Sequence, residues 1–198
     1  MIRLLFKQSV LPAEFVAFAE ANKWTLVDHW PAEPGQPEEF IWETGTGVDV
    51  HRVNDEILGL SYTALNGPPE AQESIRETKE LITSRFSAYD PREVRDWYRA
   101  ADSWDKKVFL IPMMAVTAPV AYDEETYQLL SSSLHDSHKD VRLAAVIASF
   151  YLPWAELIPD LTELTTDREP EEVIRQGAEN AIGSIKEQQR SGDANPRP

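Results

Sequence analysis

The chain has 198 residues, 42% hydrophobic and 27% charged, which is enough apolar material for a core and ordinary for a globular protein. Its 34 acidic residues outnumber 19 basic ones, a formal charge of −15 shared between residues 1–87 (seven basic, fourteen acidic) and 88–198 (twelve basic, twenty acidic). A field of that sign repels phosphate backbones and anionic membranes, so neither direct duplex nucleic-acid binding nor membrane binding is expected, and the absence of cysteine excludes disulfides, thiolate metal sites and a cysteine nucleophile.

Residues 2–7 (IRLLFK) are short, apolar and compatible with a strand. The run Leu4-Leu5-Phe6 ends at Lys7, too short for the core of a signal peptide. Leu11-Pro12 opens a helical pattern, with Pro12 suited to a first turn and Phe15, Phe18 and Ala19 at helical spacing. Trp24–Trp30 reads as a strand closed by Pro31, and residues 31–38 form a loop. Glu39–Glu43, Val48–Val53 and Glu56–Tyr62 read as three consecutive strands. Gly45-Thr46-Gly47 separates the first two, and an Asn54-Asp55 turn the last two. After the break at Asn66-Gly67-Pro68-Pro69 a helix is expected over roughly 69–86, burying Ile75, Leu81 and Ile82. Residues 1–87 are thus expected to form a small α+β domain with a mainly antiparallel sheet, in the order β-α-β-β-β-α.

From Asp90 onward the pattern is helical. The longest apolar stretch, 108–122, is interrupted by Pro112, Thr117 and Pro119 and falls short of the roughly 20 apolar residues of a spanning helix. A soluble, cytoplasmic protein is the expectation. Self-comparison at an offset of 33 superposes Ala88-Tyr89-Asp90 on Ala121-Tyr122-Asp123, and Val94, Trp97 and Ala101 on Tyr127, Leu130 and Leu134. The same offset places Val108 on Val141, Ala115 on Ala148, Val141-Arg142 on Ile174-Arg175 and Ala145 on Ala178. Three helix pairs follow, over about 91–117, 123–151 and 155–185, within a repeat region 88–188; a polar tail at 189–198 is expected to be disordered. Pro112 falls inside its helix and should kink or shorten it, whereas Pro170 suits a first turn.

The run from Asp140 to Ala148 (DVRLAAVIA) is similar to the second-helix signature of HEAT repeats, and Ile174-Arg175-Gln176-Gly177-Ala178 is a looser copy. The first pair departs from it, with Phe109 where the arginine should stand. The resemblance covers about half the chain, residues 88–189, and none is found for 1–87. It implies an α-solenoid that acts as a scaffold or binder, with its arginines paired to acidic groups of a neighbouring unit. The full expectation is an α+β domain followed by a three-unit HEAT-like array, the long helix at 69–86 capping its first unit.

The candidate binding residues are Trp104, Trp154, Asp136, Asp140, Arg142 and Arg175. Trp104 and Trp154 stand at unit junctions and are candidate interface anchors; Trp97 lies on the repeated face and is expected to pack. Asp136 suits a cap in the turn before the second helix of pair two, and Asp140 suits that helix's positive end. Arg92, Arg95, Arg99, Lys106 and Lys107 are expected to be solvated or paired with Glu93 and Asp96. His135 and His138 are weak metal-ligand candidates, because no third histidine is near and a turn explains them equally well. HEAT-like di-iron hydroxylases use paired His-Glu dipeptides, which this chain lacks, and HEAT-like DNA glycosylases need a basic groove. Neither a nucleophile elbow around Ser131-Ser132-Ser133 nor a glycine-rich phosphate loop is present. His51 is read as a structural histidine without a visible partner. The expected function is non-enzymatic: binding of a basic protein partner, in its sharpest form as an inhibitor or immunity-type protein against a toxin or nuclease, without a cofactor. An adaptor role in a larger complex, and a metal-dependent enzyme centred on His135 and His138, are the alternatives.

Overall fold

A computed structural model describes residues 1–34, 36–55 and 58–194, with the side chains of 191–194 left aside. The chain divides into two compact units, Met1–Asp90 and Pro91–Pro198.

The first unit contains β1 (Ile2–Leu5), α1 (Pro12–Ala21), β2 (Thr25–Trp30), β3 (Glu38–Glu43), β4 (Asp49–Asp55), β5 (Leu60–Asn66), a 3-10 turn at Pro69–Ala71 and α2 (Gln72–Arg85). The order is β-α-β-β-β-β-α; its five strands correspond to the five segments read as strands, one more than the shorthand order β-α-β-β-β-α counts. The five strands form one antiparallel sheet in the order β1-β5-β4-β3-β2. Pro12 opens α1 as its spacing predicts, and the Glu14 carboxylate reaches back to the Leu11 N–H at 3.0 Å. Alternation along the strands sends Trp42, Val48, Val50 and Leu65 to one face, where they join Phe15 and Ala19 of α1 and Ile75 and Ile82 of α2. Phe15 lies at the centre, its ring 5.4–6.4 Å from those of Phe6, Phe18, Trp24, Trp42 and Phe86.

Three details correct the reading of this unit. Asn54 and Asp55 do not turn the chain; β4 runs through Asp55 and the reversal follows, with Gly59 at φ +65° and the Leu58 N–H donating to Asp55 Oδ1 at 3.0 Å. The last strand is therefore Leu60–Asn66 instead of 56–62, Glu56 and Ile57 lying outside the described residues. The buried stripe of α2 is Ile75, Thr78 and Ile82, and Leu81 is exposed because it falls off that i, i+3, i+7 row. Finally, Ala88-Tyr89 belongs to the sheet unit: Phe6 bridges Ala88, and the Tyr89 N–H donates to the Leu5 carbonyl. The β2 edge is exposed at every position, Leu26, Val27 and Trp30 included, and its register against β3 shifts between Leu26 and Asp28.

The second unit is helical: α3 (Pro91–Arg99), α4 (Trp104–Thr117), α5 (Glu124–Leu134), α6 (Lys139–Ser149), a 3-10 turn at Ala155–Leu157, α7 (Ile158–Leu164) and α8 (Glu172–Ala194). The helices pack as consecutive pairs, α3 on α4, α5 on α6 and α7 on α8, and the second helices pack on one another, α4 on α6 and α6 on α8. Buried Ala144, Ala145, Ala148, Ala178 and Ala181 permit the close approach. Gly177 contributes too, since a Cβ there would lie 3.0 Å from Val146 Cγ1. Pro112 neither ends nor shortens α4, which continues to Thr117. Pro170 precedes α8 by two residues. α8 extends to Ala194, into the stretch expected to be a disordered tail; residues 195–198 lie outside the described ones. Among the described residues no helix is long and apolar enough to cross a membrane.

Truncating Phe15 to Ala removes the ring on which five others converge. It is expected to destabilise the first unit by about 3–5 kcal/mol, measured as an earlier urea midpoint of tryptophan fluorescence, whereas a loss below about 1 kcal/mol contradicts this packing account.

Candidate functional site

Of the predicted residues, Asp136, Arg142 and Arg175 converge on the turns that lead into α6 and α8. Asp136 and Glu169 stand 33 residues apart at the same place in successive pairs. Each carboxylate closes its own turn: Asp136 Oδ1 accepts the His138 N–H at 2.9 Å, and Glu169 Oε1 accepts the Glu171 N–H at 3.1 Å. Each also takes a cation from the second helix of the preceding pair. Lys107 Nζ lies 2.7 Å from Asp136 Oδ2, while Arg142 donates from Nε and Nη2 to the two oxygens of Glu169 at 2.6 and 2.9 Å.

The arginines hold the turns from the other side. Arg142 Nη1 donates to the carbonyls of Asp136 and Ser137, both at 3.0 Å, and Arg175 Nη1 donates to the carbonyl of Glu169. Arg175 also pairs with Glu172. Lys107, Asp136, Arg142, Glu169 and Arg175 therefore form a continuous polar chain along α4, α6 and α8. The first pair lacks the arginine, and Phe109 in its place is 65% exposed. Lys107, two positions earlier, supplies the missing cation.

Protonation follows this geometry. The Arg142 hydrogen bonds hold the Glu169 carboxyl below its ordinary range, outweighing burial, and Glu169 raises Arg142 in return. For Asp136, burial pushes the carboxyl up, but Lys107 and the His138 N–H together hold it below the usual value.

The other candidates separate. Trp104 is 48% exposed and stacks on His138, ring centroids 4.2 Å apart. Trp154 is not a surface anchor: it is 2% exposed, its Nε1–H donates to the Val120 carbonyl at 2.9 Å and its ring meets Tyr122 edge-on. Trp97, expected in the core, is 44% exposed; Val94, Arg95 and Tyr98 form the buried stripe of α3 instead. Asp140 sits in the first turn of α6, as its charge predicts, with one oxygen 3.8 Å from His138 Nδ1. His135 faces α7, its Nε2 3.2 Å from Asp160 Oδ1, so it and His138 have different surroundings. Among the described residues no three potential metal ligands come together. His51, read as lacking a visible partner, has one in Glu39 at 2.6 Å across the sheet.

A cleft of about 410 Å³ opens beside the polar chain, between pairs two and three. Its charged walls carry His135, Arg142 and Arg168 against Glu163 and Glu169, and Arg142 and Glu169 are already bound to each other. The Thr166 hydroxyl donates to the Glu163 carbonyl, so nothing in the wall combines a free hydroxyl with a base. The polar chain braces each helix pair against the next. Sequence reasoning names Lys107 only as solvated or paired with Glu93 and Asp96 and misses Glu169, although extending the 33-residue comparison from helices to turns aligns Glu169 with Asp136.

Arg142→Met leaves a carboxylate that is 3% exposed without its cation. It is expected to cost the helical unit about 3–5 kcal/mol in chemical denaturation followed by far-ultraviolet circular dichroism, with Arg142→Lys recovering part of the loss; a neutral outcome rules the pair out as a brace. Because the folded carboxyl of Glu169 is depressed, its contribution is complete above the ordinary glutamate range, about 4.3, and is lost as pH falls through the depressed value. Glu169→Gln should therefore lower stability at pH 7 and flatten its decline below about pH 4.3; an unchanged acid slope contradicts the assignment.

Comparison with protein-family models, with curated proteins and with solved structures found no match to this chain.

Proposed function

We propose that this protein is a non-enzymatic binder whose helical unit, read as a HEAT-like array of three pairs, engages a basic protein partner. The observation that carries this reading is where the cations go. Arg95, Arg99, Lys106, Lys107, Lys139, Arg142 and Arg175 each have a carboxylate of the same unit within 4.0 Å. Their charge is neutralised internally, and the excess carboxylates set the field outside. That pairing leaves fewer cations to replace the counterions of a nucleic-acid duplex, which argues against that ligand. The expected pairing of the basic cluster is revised in detail: Arg99 does meet Asp96, but buried Arg95 meets Asp123 and Glu125, and Lys106 meets Asp102.

Exposed aromatic area lies in the first pair, with Trp104 half exposed on His138 and Phe109 more exposed still. An acidic surface with aromatic anchors suits a partner that is basic and partly apolar. An inhibitor or immunity-type role, neutralising a basic toxin or nuclease, is the sharpest form of this proposal.

The test is affinity capture on the full chain from its native lysate. The captured proteins should be basic, should elute as salt rises and should be lost with Trp104→Ala, whose stability should change little. Removal of a hot-spot tryptophan is expected to weaken such a complex by about thirtyfold or more. Capture of proteins no more basic than the lysate as a whole, or equal capture by Trp104→Ala, refutes the proposal. Co-elution in one large assembly of fixed composition would favour the adaptor role instead.

A further inference from the structure

The sheet unit contains a second polar site, independent of the helical one. On β4, alternation places Val48, Val50, Arg52 and Asn54 on the face covered by α1 and α2. Arg52 is 4% exposed, yet no carboxylate of the described residues lies within ion-pair distance of it. Its guanidinium donates instead to three backbone carbonyls, those of Val53 (2.7 Å), Tyr62 (3.2 Å) and Val10 (2.8 Å), and the Phe6 ring lies 5.8 Å away. The Arg52 Nε–H has no acceptor, and the hydroxyl of Thr63, directly opposite on β5 and fully buried, has no partner either. A charge in this position is costly to hold, and burial pulls the guanidinium down to about 10.

Arg52 lines a cavity of about 200 Å³, together with Ser9, Pro12, Phe40, Asn54 and Glu38. The volume falls below the roughly 300–1,000 Å³ of pockets for drug-sized ligands. It has room for about six waters at roughly 30 Å³ each. Phe40 and Pro12 give it an apolar wall. Glu38, 3.2 Å from His29, contributes one negative charge, which disfavours a dianion such as phosphate.

We propose that this cavity binds a small monocarboxylic acid with a short apolar body, its carboxylate on Arg52. The anion supplies a directly bound acceptor for a guanidinium that Glu38 compensates only from beyond ion-pair distance, while the apolar body rests against Phe40 and Pro12. Isovalerate is the probe, with isoamylamine (the same skeleton bearing a cation) and inorganic phosphate as comparisons, all titrated into the full chain.

Isovalerate is expected to shift the Arg52 Nε–H resonance saturably in 1H–15N spectra of the wild-type protein, and the amine and phosphate are not. Arg52→Lys should weaken isovalerate binding by about tenfold or more. Ser9→Trp, at an exposed rim position, should block the cavity without disturbing the core; together with the wild-type resonance it decides the matter if Arg52→Lys does not fold. The proposal is overturned by an absence of saturable shift with isovalerate, by an equal shift with phosphate or amine, or by undiminished binding in the folded variants. None of these outcomes bears on partner binding by the helical unit.

Discussion

The helical unit depends on one kind of contact, a carboxylate in the turn of one pair gripped by a cation from the pair before it. Arg142 and Glu169 give its most complete form, with two parallel hydrogen bonds at 2.6 and 2.9 Å and both side chains largely removed from solvent. Apolar stripes draw helices together but fix their sliding only loosely. A bidentate pair fixes both distance and direction. Because Asp136 and Glu169 also tie down the backbone N–H groups that follow them, each turn is shaped by the contact that joins it to its neighbour. The same contacts withdraw cations from the surface, which links the architecture to the acidic exterior.

The two units accommodate buried arginine in opposite ways. Arg142 and Arg95 face carboxylates, which return much of the hydration they give up. Arg52 donates to carbonyl dipoles, with Glu38 acting on it only at a distance, and keeps an unpaired N–H. The first arrangement takes its countercharge from within the chain, although the Arg95 Nε–H also lacks a hydrogen-bond acceptor. The second leaves a buried donor unsatisfied.

Much of this was legible in the residues. Pro12, the paired glycines at 45 and 47 and the alternation from Val48 to Arg52 fix where the first unit folds back and which way it faces, because each acts within a few residues. The end of β4 was misread because Asn54-Asp55 favours a turn only where no partner strand extends past it; pairing with Ser61 and Leu60 overrides the local preference. In the helical unit the 33-residue offset locates each pair, but it misassigns an in-facing position of α3: it superposes Trp97 on Leu130, whereas Tyr98 and Arg95 fill the interior and find polar partners there, Tyr98 in Ser133 and Arg95 in Asp123. Trp154 was misplaced because a junction reads as surface, although its indole N–H has a carbonyl to meet. Lys107 was invisible as a partner of Asp136, since the repeat position points to Phe109. Contacts between residues about thirty positions apart leave no local pattern, and only the repeat makes them findable.

The open edge of the sheet has a consequence of its own. A border strand exposed at every position and carrying Leu26, Val27 and Trp30 offers a template on which further strands can polymerise. The register shift between Leu26 and Asp28 breaks that template near its middle, because an extra residue on one side of a ladder bends the strand and throws its outer N–H and carbonyl groups out of line. An incoming strand in regular register meets too short a run of matching groups to hold. The irregularity thus acts as a stop against fibre growth, and it lets the border keep apolar side chains that a straight strand would have to exchange for charge.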